Sequence, residues 1–238
     1  MRPNRVLVLT SAVAVAIVTT AAPAAMAYDR DSYSYAAGHM IDASDIPANL
    51  GTFKPNGQFS VFPGDKSMVC DVPAAVDSQP DVTVNLAKSK FQYWINYNGK
   101  KFSDPTINVT VQQYAGAAAA IKAFAGLKKS IRKCSGSGSS SYTGDDGTTT
   151  TYSTQVSIAV VPGVSVVGVP SLSVTLDNRS ESAPSGSTGI NDTYAVFSLV
   201  GDTIIQTSFY ANGSKNLTTA QRASVNQVAF NAITEWTD

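Results

Sequence analysis

The chain has 238 residues, with 17 Lys and Arg against 17 Asp and Glu, so it carries no formal net charge, and only 14% of its residues are charged. Neutrality excludes the basic excess of a nucleic-acid binder, and 43% hydrophobic residues with ten Tyr and nine Phe exclude disorder throughout. A single histidine, His39, leaves no His-based metal site and makes any His-dependent catalysis rest on that residue.

The chain opens as a secretory signal peptide over residues 1–27. Arg2 and Arg5 form a charged start, Val6 to Thr20 is apolar and uncharged, and Ala25-Met26-Ala27 supplies a small-x-small cleavage pattern. The apolar run breaks before Pro23 and is short for a membrane span, which needs about 20 residues. Cleavage after Ala27 would leave 15 basic residues against 17 acidic. The expected product is secreted, periplasmic or held at the cell envelope, with no stable membrane insertion after cleavage. No cysteine stands at the cleavage point, so the pattern is not that of a lipoprotein. Outside the cytosol two thiols tend to pair, so Cys70 and Cys134 are expected to form one disulfide.

Tyr28 to His39 is polar and Tyr-rich and predicts a flexible arm. Met40 to Leu50, with Asp45-Ile46-Pro47, has short helical or turn character. Short strands are expected at Gln58–Phe62, Ser67–Cys70 and Val82–Leu86. Phe91 to Tyr97 is a stronger strand: Phe91, Tyr93, Ile95 and Tyr97 alternate onto one face, and Asn98-Gly99 follows as a turn. Ile107 to Val111 alternates too. A helix follows, with Tyr114, Ala117/Ala118, Ile121, Phe124/Ala125, Leu127 and Ile131 as its apolar stripe, a cluster of Lys and Arg near its end, and Cys134 closing it.

Residues 135–154 hold 16 Ser, Thr or Gly in 20 positions and predict a mobile loop, as does the Ser/Gly/Pro-rich stretch 178–191. Gly144-Asp145-Asp146-Gly147 reads as a plain turn, since the spacing of a calcium loop is missing. Strands are expected at Gln155–Val161 and around Leu172, Val174 and Leu176. Tyr194–Val200 and Thr203–Tyr210 form a hairpin about Gly201-Asp202, apolar on both faces and therefore central. A last helix starts near Thr219 behind Thr218 as its cap, with Val225, Val228/Ala229, Ala232/Ile233 and Trp236 buried. The expected fold is α+β: a twisted antiparallel β-sheet packed with two main α-helices and one disulfide, forming one domain over residues 40–238.

The motif search gives no catalytic, cofactor-binding or metal-ligating residues. No Gly-x-Ser-x-Gly elbow accompanies His39, no phosphate-binding glycine loop follows a strand, and the only glutamates are Glu181 and Glu235. Five Asn-x-Ser/Thr triplets, at Asn108, Asn178, Asn191, Asn212 and Asn216, are attributed to composition. What remains is binding. Trp94 lies out of phase with the apolar set of its strand, beside Gln92 and Asn96. An indole flanked by amides suits contact with a sugar or peptide, so these three are the candidate ligand-binding residues.

Val109-Thr110-Val111 leading into Tyr114, Ala118, Phe124, Leu127, Ile131 and Cys134 resembles the pattern of PknH-type extracellular sensor domains of actinobacterial envelope proteins. The Gly201-Asp202-Thr203 hairpin before an amphipathic last helix, and the Asp45-Ile46-Pro47 entry, resemble it too. The resemblance spans residues 40–237. It implies an antiparallel sheet flanked by helices, a cleft for an unidentified ligand and no catalytic residues. The chain departs from the kinase-linked members in having no kinase, no membrane span and one possible disulfide where those have two. The function so implied is a secreted, non-enzymatic binding domain whose partner is a small ligand, glycan or envelope protein. A PsbP-like carrier or accessory protein for hydrophobic envelope components is the alternative, and an exported hydrolase a remote one.

Overall fold

The computed structural model describes residues 33–63, 89–100, 105–131, 135–161, 166, 168–212 and 217–238. Its centre is one eight-stranded, wholly antiparallel sheet in the order β1-β2-β3-β8-β7-β6-β5-β4. The strands are β1 (Gln58–Pro63), β2 (Phe91–Asn98), β3 (Thr106–Gln113), β4 (Gly136–Thr143), β5 (Thr149–Val161), β6 (Ser171–Ala183), β7 (Ser187–Val200) and β8 (Thr203–Asn212). Among the described residues three α-helices accompany them: α1 (Tyr33–Gly38), α2 (Ala117–Ser130) and α3 (Thr219–Thr237). β1 to β3 form one meander and β4 to β8 another. They join where β3 pairs with β8, and α2 links β3 to β4 at the far edge.

The centre of the sheet is buried on both faces because β7 and β8 carry apolar residues at odd and even positions alike. On the first face, Tyr93, Ile95 and Tyr97 of β2, Ile107, Val109 and Val111 of β3, Ile205 and Phe209 of β8, and Tyr194 and Val196 of β7 form a core. α3 covers it with Val225, Val228, Ala229, Ala232, Ile233 and Trp236. Each large side chain so enclosed stabilises the fold by roughly 1.5–3 kcal/mol. On the second face, Leu172 and Val174 of β6, Ala195 and Phe197 of β7 and Ile204 of β8 pack against Tyr114, Ala120, Ala123, Phe124, Leu127 and Ile131 from α2 and its flanks. Residue 201, at the tip of the β7–β8 hairpin, has φ 57°, which glycine adopts without a Cβ clash.

The expected α3 is present with its cap. The Thr218 hydroxyl accepts from the Gln221 N–H at 3.2 Å, and the Gln221 side-chain oxygen accepts from the Thr218 N–H at 3.0 Å. The Met40–Leu50 segment makes two 3-10 turns, Ala43–Asp45 and Ala48–Leu50, tied to α3 by Asn231 Nδ2 donating to the Asp45 carbonyl at 2.9 Å.

Six expectations are corrected. The α+β fold with two main helices and one disulfide becomes a predominantly antiparallel sheet with three α-helices. The bridge is not supported: Cys70 and Cys134 lie outside the described residues, and no disulfide occurs among those described. The flexible arm over 28–39 contains α1, because Ala36 is fully buried and the Tyr35 hydroxyl donates to the Trp236 carbonyl at 3.0 Å.

The loop expected at 135–154 is the β4–β5 hairpin, and 178–191 continues the long β6–β7 ladder. Composition weighed only side-chain burial there. A neighbouring strand satisfies the backbone instead, and Ser141–Thr151 and Thr143–Thr149 hydroxyl pairs at 2.8 and 3.0 Å face each other across the hairpin. In α2 the buried stripe runs through Ala120, Ala123/Phe124 and Leu127 to Ile131, which leaves Ile121 56% exposed. The strands expected at Ser67–Cys70 and Val82–Leu86 lie outside the described residues.

Candidate functional site

The register of β2 fixes the candidate residues. Since Tyr93, Ile95 and Tyr97 enter the α3-side core, Gln92, Trp94 and Asn96 stand on the opposite face. Their antiparallel partners there are Gln112, Thr110 and Asn108 of β3. Next in the row come Ile204, Gln206 and Ser208 of β8, and on the outer side Phe62, Ser60 and Gln58 of β1. The structure thus joins the three predicted residues to a polar row across four strands, in which Asn96, Thr110, Gln112 and Ser208 are buried and Gln92, Trp94, Asn108 and Gln206 half-buried. The second core draws none of its members from β1, β2 or β3, and among the described residues Trp94 belongs to neither core.

Hydrogen bonds hold this surface in place. Asn96 Nδ2 donates to Asn108 Oδ1, while Asn96 Oδ1 is buried without a partner. Gln206 Nε2 donates to Ser208 Oγ at 2.9 Å, and the Tyr114 hydroxyl donates to Gln112 Oε1 at 3.2 Å. An orphaned buried amide oxygen costs stability unless something donates to it. Trp94 and Gln92 are half-buried and Phe62 is 46% exposed, so the surface combines an indole, a phenyl ring and several amides. Asn108, Thr110 and Gln112 escaped the sequence reading although they alternate with the buried Ile107, Val109 and Val111. That period of two was their signal. Gln206 and Ser208 had none, since their hairpin read as apolar on both faces.

His39 stands elsewhere. Its ring stacks on Tyr35 with centroids 3.8 Å apart, and its Nδ1 lies 2.7 Å from the Tyr35 carbonyl oxygen, at the end of α1. At the β4–β5 turn, both Asp146 oxygens accept from Thr148, at 2.9 and 3.0 Å, and these bonds hold the Asp146 carboxyl below its ordinary pKa.

A separate pocket of ≈ 200 Å³ opens on the α3 side of the sheet, beyond the core. Ser157 of β5, Thr175 and Asp177 of β6 and Asp192 of β7 line its floor; Leu217 and Arg222 close it from the start of α3.

No family model matches the chain, and no curated protein matches it. Among solved structures, the fold is similar to the crystal structure of the extracellular domain of PknH from Mycobacterium tuberculosis. The TM-score is 0.50 at 12% sequence identity, covering 85% of this chain and 96% of that one. At that identity the two share a fold.

Proposed function

We propose that the chain is an exported, non-catalytic binding domain that recognises a glycan on the polar face of β1, β2, β3 and β8. The observation that carries this reading is Trp94: an indole outside both cores, set among Gln92, Asn96, Asn108 and Thr110. Sugars offer an apolar ring face and a rim of hydroxyls. An indole takes the former, and amide side chains exchange hydrogen bonds with the latter. The signal-like start of the chain and the fold shared with an extracellular domain support an extracytoplasmic setting. His39 supports the non-catalytic part, because its ring is engaged by Tyr35.

The test is co-sedimentation with purified bacterial cell-wall polysaccharide, followed by calorimetry with oligosaccharides released from it. The wild type is expected to bind, and Trp94→Ala to bind weaker by about tenfold or more, the size of a single aromatic hot spot. Equal binding by the folded variant, or no binding by the wild type, would overturn the reading.

A further inference from the structure

α2 covers the second core with one side and presents the other to solvent. Ala120, Ala123, Phe124 and Leu127 are buried against the sheet. Ala118, Ile121, Lys122, Ala125, Lys128 and Lys129 are exposed. At 3.6 residues per turn these six share an arc of about 120°. Ile121, at 56%, is the only large aliphatic side chain exposed among the described residues.

The fold does not use up the cations on this arc. α2 contains no Asp or Glu. From Pro105 to Gly144 the sequence has five Lys and Arg and no acidic residue, in a chain that is neutral as a whole. Among the described residues, Lys122, Lys128 and Lys129 form no ion pair. The Lys128 ammonium lies 4.8 Å from the centre of the Phe124 ring. Lys128 and Lys129 stand in the last turn, where they complement the helix dipole. Lys122 is in the middle of the helix, beyond the reach of that field. The exposed face of α2 therefore combines an aliphatic side chain in water with three cations that lack a counter-charge.

We infer that the outer face of α2 docks on the surface of an anionic phospholipid membrane. The lysine heads would meet lipid phosphates, and Ile121 would enter the boundary between headgroups and acyl chains with the lysine stems beside it. A soluble polyanion would satisfy the lysines and leave Ile121 in water. An apolar protein groove would take Ile121 and strand the lysines away from water. The attachment is peripheral: α2 has 14 residues, and no described helix is long and apolar enough to cross a membrane. It uses none of the residues around Trp94, so it is independent of glycan binding.

The test is co-sedimentation with vesicles of phosphatidylcholine alone and of phosphatidylcholine with 30% phosphatidylglycerol, at about 0.1 M salt, close to the physiological range. The protein is taken in the form its host exports, since the apolar run Val6–Thr20 would itself partition into lipid. The wild type is expected to bind the anionic vesicles and not the neutral ones. Each lysine at such a surface contributes about fivefold, so the double variant Lys128→Gln/Lys129→Gln should bind weaker by about tenfold or more. Ile121→Ser should also weaken binding, by about tenfold. All three positions are exposed, so circular dichroism should show each variant folded. Lys54→Gln, at an exposed lysine outside α2, should bind as the wild type does. The inference is overturned if the wild type binds no anionic vesicle, if it binds neutral vesicles equally well, or if Lys54→Gln weakens binding as much as the α2 double variant. Folded Ile121→Ser binding as tightly as the wild type would assign the lysines to a soluble polyanion and overturn it too.

Discussion

Tyr97 shows what one buried polar atom contributes. It is 3% exposed, and its hydroxyl donates to the Ile41 carbonyl at 2.9 Å, linking β2 to the segment that precedes the first 3-10 turn. Burial pushes its phenol up to about 12, and the Asp42 and Asp45 carboxylates add to the shift. Tyr97→Phe removes the donor and strands the carbonyl, so urea denaturation at pH 7 should show a loss of about 1 kcal/mol. The sign of the pH dependence follows from the raised pKa. An unfolded tyrosine titrates near 10, so what Tyr97 contributes is complete below pH 10 and is lost as pH rises towards 12. The stability gap between wild type and Tyr97→Phe should therefore close from pH 10 upward. A constant gap across that range would refute the buried-phenol account.

At the level of single elements, α3 is held by its stripe and by its first turn. The reciprocal Thr218–Gln221 bonds satisfy two backbone groups that the helix cannot. Thr218→Ala should lower stability by about 1 kcal/mol, read as a shifted urea midpoint at unchanged slope, and Thr218→Ser should restore it. An alanine variant as stable as wild type would assign α3 entirely to packing. This helix was legible in the sequence because its signals are local: a cap pair three residues apart and a stripe from Val225 to Trp236. The β7–β8 hairpin was legible for the same reason, through Gly201-Asp202. The β4–β5 hairpin was not. Ser, Thr and Gly bury little, and the partner that makes them a strand is the backbone of the neighbouring chain segment. The candidate site divides likewise. The period of two placed Gln92, Trp94 and Asn96 on one face, whereas their partners on β3 and β8 depend on register. Nothing local in the sequence sets Arg222 against Asp177 and Asp192, because helix packing alone brings them together.

Across the whole molecule, β7 and β8 are common to both cores. Tyr194 and Val196 enter the α3-side core while Ala195 and Phe197, their immediate neighbours, enter the α2-side core. A side chain lost on one face therefore weakens strands that the other face also needs, and the two layers should unfold together. Two tryptophans make this measurable, since Trp94 and Trp236 are the only ones in the chain. In a Trp94→Phe background, fluorescence reports Trp236 alone, fully buried on the α3 side. Phe124 is 4% exposed in the opposite layer, so Phe124→Ala should cost about 3–5 kcal/mol. The midpoint followed by Trp236 emission should fall as far as the midpoint followed by far-ultraviolet circular dichroism. If Phe124→Ala lowered the dichroism midpoint and left Trp236 emission unmoved, the faces would unfold separately. A ligand bound at one would then stabilise only its own layer. Coincident transitions mean that a ligand on either face stabilises the entire sheet by mass action, so that occupancy of the Trp94 surface would be read as a rise in the same melting transition.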